Sequence, residues 1–140
     1  MSVFGNFYQL IEGLLGLYNN SFDYVYNDLY DYGGYTNMGL ILVFIPIFFT
    51  GWFYFFNKYP YVKKWHWGVM ILISSIFVFG FTFSIANTAI AQSTGYPIPP
   101  EISSLPFNYS IFNAFVSIII GFIYSLGMRP LSKCQMHLPF

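Results

Sequence analysis

The sequence predicts an all-α integral membrane protein with three transmembrane helices and an N-terminal amphipathic interfacial helix. Two observations carry that prediction: a composition too apolar for a water-soluble domain, and three charge-free stretches of bilayer-crossing length. Of the 140 residues, 56% are hydrophobic and only 7% charged, against roughly a quarter charged in an average soluble domain. A soluble chain this short exposes too large a share of its surface to hide that much apolar side chain. The solvent for its outer face is therefore lipid.

The first segment, 1–35, opens with Val3, Phe4, Phe7, Leu10, Ile11, Leu14, Leu15 and Tyr18 at helical three-and-four spacing. Asn6, Gln9, Glu12 and Gly13 fall on the other face, so the spacing predicts an amphipathic helix. It is short for a span and has a carboxylate in its middle. It reads as an interfacial helix, lying on the outer leaflet or docked on a partner. Met1 to Tyr18 also lacks the basic start of a cleavable secretory signal. The Tyr- and Asp-rich stretch from Tyr24 to Tyr35, which contains Gly33 and Gly34, reads as a polar lead-in with aromatic anchors, or else as a docking surface.

The membrane domain, 36–130, holds three apolar stretches: Met38 to Phe56, Trp67 to Ala91 and Tyr109 to Met128. Each is near or above the ~20 residues that a helix needs to cross the hydrocarbon. Lipid cannot solvate free backbone amides, so a span is a helix or a barrel strand, and these runs do not alternate as barrel strands do. The spans are helices. Pro46 removes one ladder hydrogen bond from the first, which predicts a kink. The short loop 57–66 lies between Trp52 and Tyr54 on one side and Trp65 and Trp67 on the other, an aromatic belt at one interface. The loop 93–108 carries Pro97, Pro99, Pro100 and Pro106, which predict an extended, semi-rigid excursion.

Charge sets the expected orientation. Lys58, Lys63 and Lys64 in the first loop, and Arg129 and Lys133 after the third span, all fall on one side of a three-span protein. Glu12, Asp23, Asp28, Asp31 and Glu101 fall on the other. The positive-inside rule then predicts N-terminus out and C-terminus in, in a bacterial or organellar inner membrane.

Asn113, Ser117, Gly121 and Ser125 form a small and polar row on the third span, and Gly80, Ser84 and Thr88 a matching row on the second. Helices in lipid associate where small side chains let backbones approach and hydroxyls bond across. The two rows are expected to face each other or another copy of the chain. The alternative is that the third-span row lines a hydroxylated pore.

Reaction chemistry has little support. No Asp, Glu, Lys, Arg or His lies inside a span, and proton relays and ion-coupled transporters depend on such groups. The two histidines and all the carboxylates fall on opposite predicted sides, so no Ser–His–Asp triad can assemble, and no phosphate-loop or zinc-protease motif occurs. In the tail 131–140, Cys134 and His137 form a C-x-x-H, two ligands short of a closed zinc site; Cys134 is also placed for palmitoylation. Asn19-Asn20-Ser21 and Asn108-Tyr109-Ser110 are sequons, meaningful only in a glycosylating pathway. No cofactor, metal or nucleic-acid partner is expected, since no basic run exists to track phosphates. The expected partners are membrane lipid and other subunits or copies of the chain. The expected role is that of a non-catalytic structural or accessory subunit of a membrane complex. The alternative is a homo-oligomeric, holin-like pore.

Overall fold

The computed structural model describes residues 3–56 and 64–131. Lys58, Lys63, Cys134 and His137 lie outside the described residues. Among the described residues every regular element is helical: α1 (Val3–Leu15), α2 (Asp23–Asp31), α3 (Gly34–Phe56), α4 (Lys64–Thr94) and α5 (Leu105–Met128), with single 3₁₀ turns at Asn20–Phe22 and Arg129–Leu131. The last three are long and apolar enough to cross a bilayer. Within an apolar 18-residue window of each, only 33%, 39% and 22% of residues are buried in the chain. Most of each span therefore turns apolar side chains outward, which hydrocarbon tolerates and water does not. The chain is an all-α, multi-pass membrane protein.

All three spans exceed their apolar runs. The 31 residues of α4 extend about 46 Å at 1.5 Å per residue, beyond the ~30 Å hydrocarbon, so this helix tilts or reaches past it. α3 begins four residues before Met38 and continues through Pro46 as one helix; the Thr50 hydroxyl donates to the Pro46 carbonyl at 2.6 Å. The loop 93–108 is corrected. α4 runs to Thr94, α5 begins at Leu105, and between them a bend at 96–97 is followed by turns over 100–104. The Ile102 amide donates to the Pro99 carbonyl, the Leu105 amide donates to the Ile102 carbonyl, and the Ile102 side chain is buried. Of the four prolines, Pro100 lies in these turns and Pro106 in the first turn of α5.

The backbone divides into two compact units. The first comprises Met1–Ile41 and Gly80–Ile111, and the second Leu42–Phe79 and Phe112–Phe140. In the first unit, α1 stops in a Schellman arrangement: Gly16 has φ +63°, and the Leu17 amide donates back to the Glu12 carbonyl at 3.0 Å. The Asn19 side chain then accepts from the Ser21 amide, and the buried Tyr26 hydroxyl donates to the Leu17 carbonyl at 2.8 Å. The Tyr- and Asp-rich lead-in is itself a helix, α2, burying Val25, Tyr26 and Leu29. Its glycine pair has two separate duties. Gly33 takes φ +78° where α2 ends, and a Cβ on Gly34 would stand 2.8 Å from the Leu29 side chain.

The second unit centres on Phe53, Tyr54, Met70 and Ile71, with Phe49, Trp67 and Met128 packed against them. Tyr54 thus belongs to the core rather than to an interfacial belt.

In the first unit α1 approaches α3 at Gly39, where a Cβ would lie 2.1 Å from the Phe4 ring. Gly39→Ala should force Phe4 out of its seat and lower stability by about 1–3 kcal/mol, the usual cost of overpacking. Denaturant unfolding in micelles measures it. An unchanged midpoint would mean that this contact does not define where α1 sits.

Candidate functional site

α1 leaves Asn6, Gln9 and Gly13 of its polar face exposed, but it also exposes several large apolar side chains and buries its one carboxylate. Gly5, Tyr8, Ile11 and Glu12 are buried, whereas Val3, Phe7, Leu10 and Leu14 are exposed. The expectation that placed Glu12 on an outward polar face is corrected: its side chain is only 2% exposed. The physical reason is hydrogen bonding: a carboxyl leaves solvent only where the protein supplies donors for it.

Those bonds come from two spanning helices. Tyr35, in the first turn of α3, and Tyr109, early in α5, both donate their hydroxyls to Glu12 Oε1. Tyr8 closes the cage. Its ring stacks on Tyr35 at 5.3 Å and meets Tyr109 edge-on at 5.9 Å, while Tyr35 and Tyr109 meet edge-on at 6.2 Å. All three tyrosines are buried, and such ring pairs add about 0.5–1.5 kcal/mol each beyond the area they bury. Gly5 completes the seat, since a Cβ there would lie 2.3 Å from the Tyr30 ring of α2. One carboxylate thus ties α1 to the first turns of α3 and α5.

Burial lifts the Glu12 carboxyl above its ordinary range, and the hydrogen bonds from Tyr109 and Tyr35 pull it part of the way back. Folding therefore stabilises the neutral acid relative to the carboxylate, compared with the unfolded chain. Its contribution to stability is complete below the ordinary carboxylate range and is lost as pH rises through the raised folded value. Among the described residues no group of three His, Cys, Asp or Glu side chains converges to hold a metal ion. The arrangement acts as a clasp. Its signal in the sequence was a lone Glu flanked at helical spacing by Tyr8, and it was hidden because Tyr35 and Tyr109 are distant in the chain.

The row on α5 is consumed inside the protomer. Asn113, Ser117, Gly121 and Ser125 are all buried. Ser117 donates to the Ala114 carbonyl at 2.7 Å, and Ser75 of α4 donates to the same oxygen at 2.9 Å. Ser125 donates to the Gly121 carbonyl and accepts from the Trp67 indole at 2.8 Å. A Cβ on Gly121 would sit 3.6 Å from Ile71.

The row on α4, Gly80, Ser84 and Thr88, is exposed, so within the protomer it does not face the buried row of α5. The buried row of α4 is Ser74, Val78, Thr82, Ala86 and Ile90, displaced by two residues and hence by about 200° around the helix. Among the interface anchors, Trp52 and Trp65 are exposed, as are Lys64 and Arg129. Trp67 instead spends its indole N–H on Ser125.

Replacing Glu12 separates its charge from its shape. Glu12→Gln keeps an acceptor for both hydroxyls, so its unfolding midpoint should stay level with pH where the wild type's falls as pH rises above the carboxylate range. Glu12→Ala removes the acceptor and should cost about 1–3 kcal/mol even in acid. Circular dichroism during unfolding in micelles reads both, and a Gln variant with the wild-type pH slope would remove Glu12 from this account. No protein-family model matches the chain, and no curated protein or solved structure gives a significant match.

Proposed function

We propose that the chain is a non-catalytic structural or accessory subunit of a multi-protein membrane complex, acting through helix packing and an N-terminal docking segment. The observation that carries this reading is the bare apolar face of α1. Val3, Leu10 and Leu14 are 80%, 61% and 77% exposed, yet the Glu12 clasp fixes the helix that bears them. A clamped helix with an uncovered face is built to present that face. A second packing surface surrounds Gly80 on α4, which is exposed together with Ser84 and Thr88, residue types by which helices associate in lipid.

The orientation that goes with this reading is N-terminus out and C-terminus in, in a bacterial or organellar inner membrane. Every basic residue falls within 42–79 and 112–140, and every acidic one within 1–41 and 80–111. A homo-oligomeric pore lined by α5 is the weaker reading. Its hydroxyls and small residues face inward in a single protomer, leaving none of that row for a lumen.

Gentle extraction of the tagged protein from its native membrane, followed by native mass spectrometry, should recover it with other polypeptides in fixed ratio. The double variant Leu10→Asn, Leu14→Asn should lose those partners by about tenfold or more while keeping its helical circular dichroism. Recovery as a lone chain would overturn the proposal. A ring of identical copies would bring the pore forward.

A further inference from the structure

One cavity in the first unit is chemically unlike the apolar surface of the spans. Its volume is about 630 Å³, and it opens among the last turn of α2, the first turn of α3 and the C-terminal half of α4. Asp28, Asn37, Ser84, Thr88, Gln92 and Ser93 line it. Ser84 and Thr88 belong to the α4 row that has no place in the protomer's own packing. The volume falls in the range of small-ligand sites and is far larger than a bare ion needs. The cavity also lies where α3 begins and α4 ends, at the ends of spanning helices, the depth of lipid headgroups.

Charge decides what fits. Asp28 is the only charged residue in the lining, and no Lys, Arg or His occurs anywhere in 1–41 or 80–111. α2 and α4 both end beside the cavity while α3 begins there, so two negative helix poles stand against one positive pole. With one carboxylate and no basic side chain in the lining, a ligand carrying only negative charge is disfavoured and one that brings a cation is favoured. The lining is rich in acceptors, namely a carboxylate, two amide carbonyls and four hydroxyls, which suit the three N–H donors of a primary ammonium. A quaternary ammonium has no N–H and is held by several aromatic faces. Here a single ring, that of Tyr32, borders the space.

We infer that this cavity binds a primary ammonium carried on a polar headgroup, the chemistry of an ethanolamine phospholipid, with Asp28 as its counter-ion. The side-chain amides and hydroxyls of Asn37, Ser84, Thr88 and Gln92 serve the remainder of the headgroup, phosphate included, as donors. The site is read on the isolated chain and does not depend on a protein partner.

The test is native mass spectrometry of the full chain in micelles containing phosphatidylethanolamine, phosphatidylcholine and phosphatidylglycerol of identical acyl chains in equal amounts. The ethanolamine lipid should be retained about tenfold over each of the others. Asp28→Asn should bring it down to the level of the choline lipid, and Thr88→Leu, which fills the cavity and leaves the charge, should weaken it likewise. Circular dichroism verifies that both variants fold. Soluble glycerophosphoethanolamine separates the sources. Displacement of the lipid by it would support a site for the headgroup alone, and failure to displace, with the preference intact, would support a membrane lipid as ligand. Equal retention of the three lipids, or a full ethanolamine preference in the Asp28→Asn variant, would overturn the inference.

Discussion

A carboxylate removed from water needs hydrogen bonds from the protein, and in the first unit that need holds three helices together. Glu12 takes the hydroxyls of Tyr35 and Tyr109 on one oxygen, and Tyr8 packs its ring against both. Truncating any one of these side chains would leave a buried polar atom or a gap, and burial without a partner is the costly outcome. The clasp therefore sets where α1 lies, and with it the direction in which the apolar stripe of α1 points. The glycines at positions 5 and 39 let the neighbouring rings of Tyr30 and Phe4 come close enough for the cage to close.

The second unit meets the same constraint with neutral groups. Several of its hydroxyls and one indole turn onto a backbone carbonyl or onto one another: Trp67 to Ser125, Ser125 to Gly121, and Ser75 and Ser117 to Ala114. Hydrophobic driving force between helices is weak in lipid, so close packing and such bonds carry the association. This explains why small residues sit at the buried positions of α5 and large ones such as Phe115, Phe122 and Ile123 point outward. An arrangement that would read as inside-out in water is the ordered one in a bilayer.

Seen together, the chain spends its polarity in three ways. Hydroxyls close the helix contacts of the second unit, a single carboxylate fastens α1, and a cluster of amides and hydroxyls around Asp28 surrounds an open cavity. The first two bond within the protein. The third borders about 630 Å³ of open space, and the absence of any basic residue from 1–41 and 80–111 gives it one sign.

Composition and run length by themselves determined the class, because hydrocarbon admits few ways to satisfy a backbone. Three charge-free runs had to be spanning helices, and the observed α3, α4 and α5 contain them with a few residues added at their ends. Those additions, and the helix α2, escaped notice because tyrosines and asparagines carry little apolar signal while burying well once a neighbour supplies a bond, as Tyr26 does with Leu17. Which face of a helix turns inward was decided by tertiary structure alone. α4 carries two interleaved four-spaced rows of small and hydroxylated residues, and nothing in the spacing distinguishes Ser74–Val78–Thr82–Ala86 from Gly80–Ser84–Thr88. Glu12 shows the same limit: periodicity places it opposite Leu10 and Leu14, but its burial depends on two hydroxyls far along the chain.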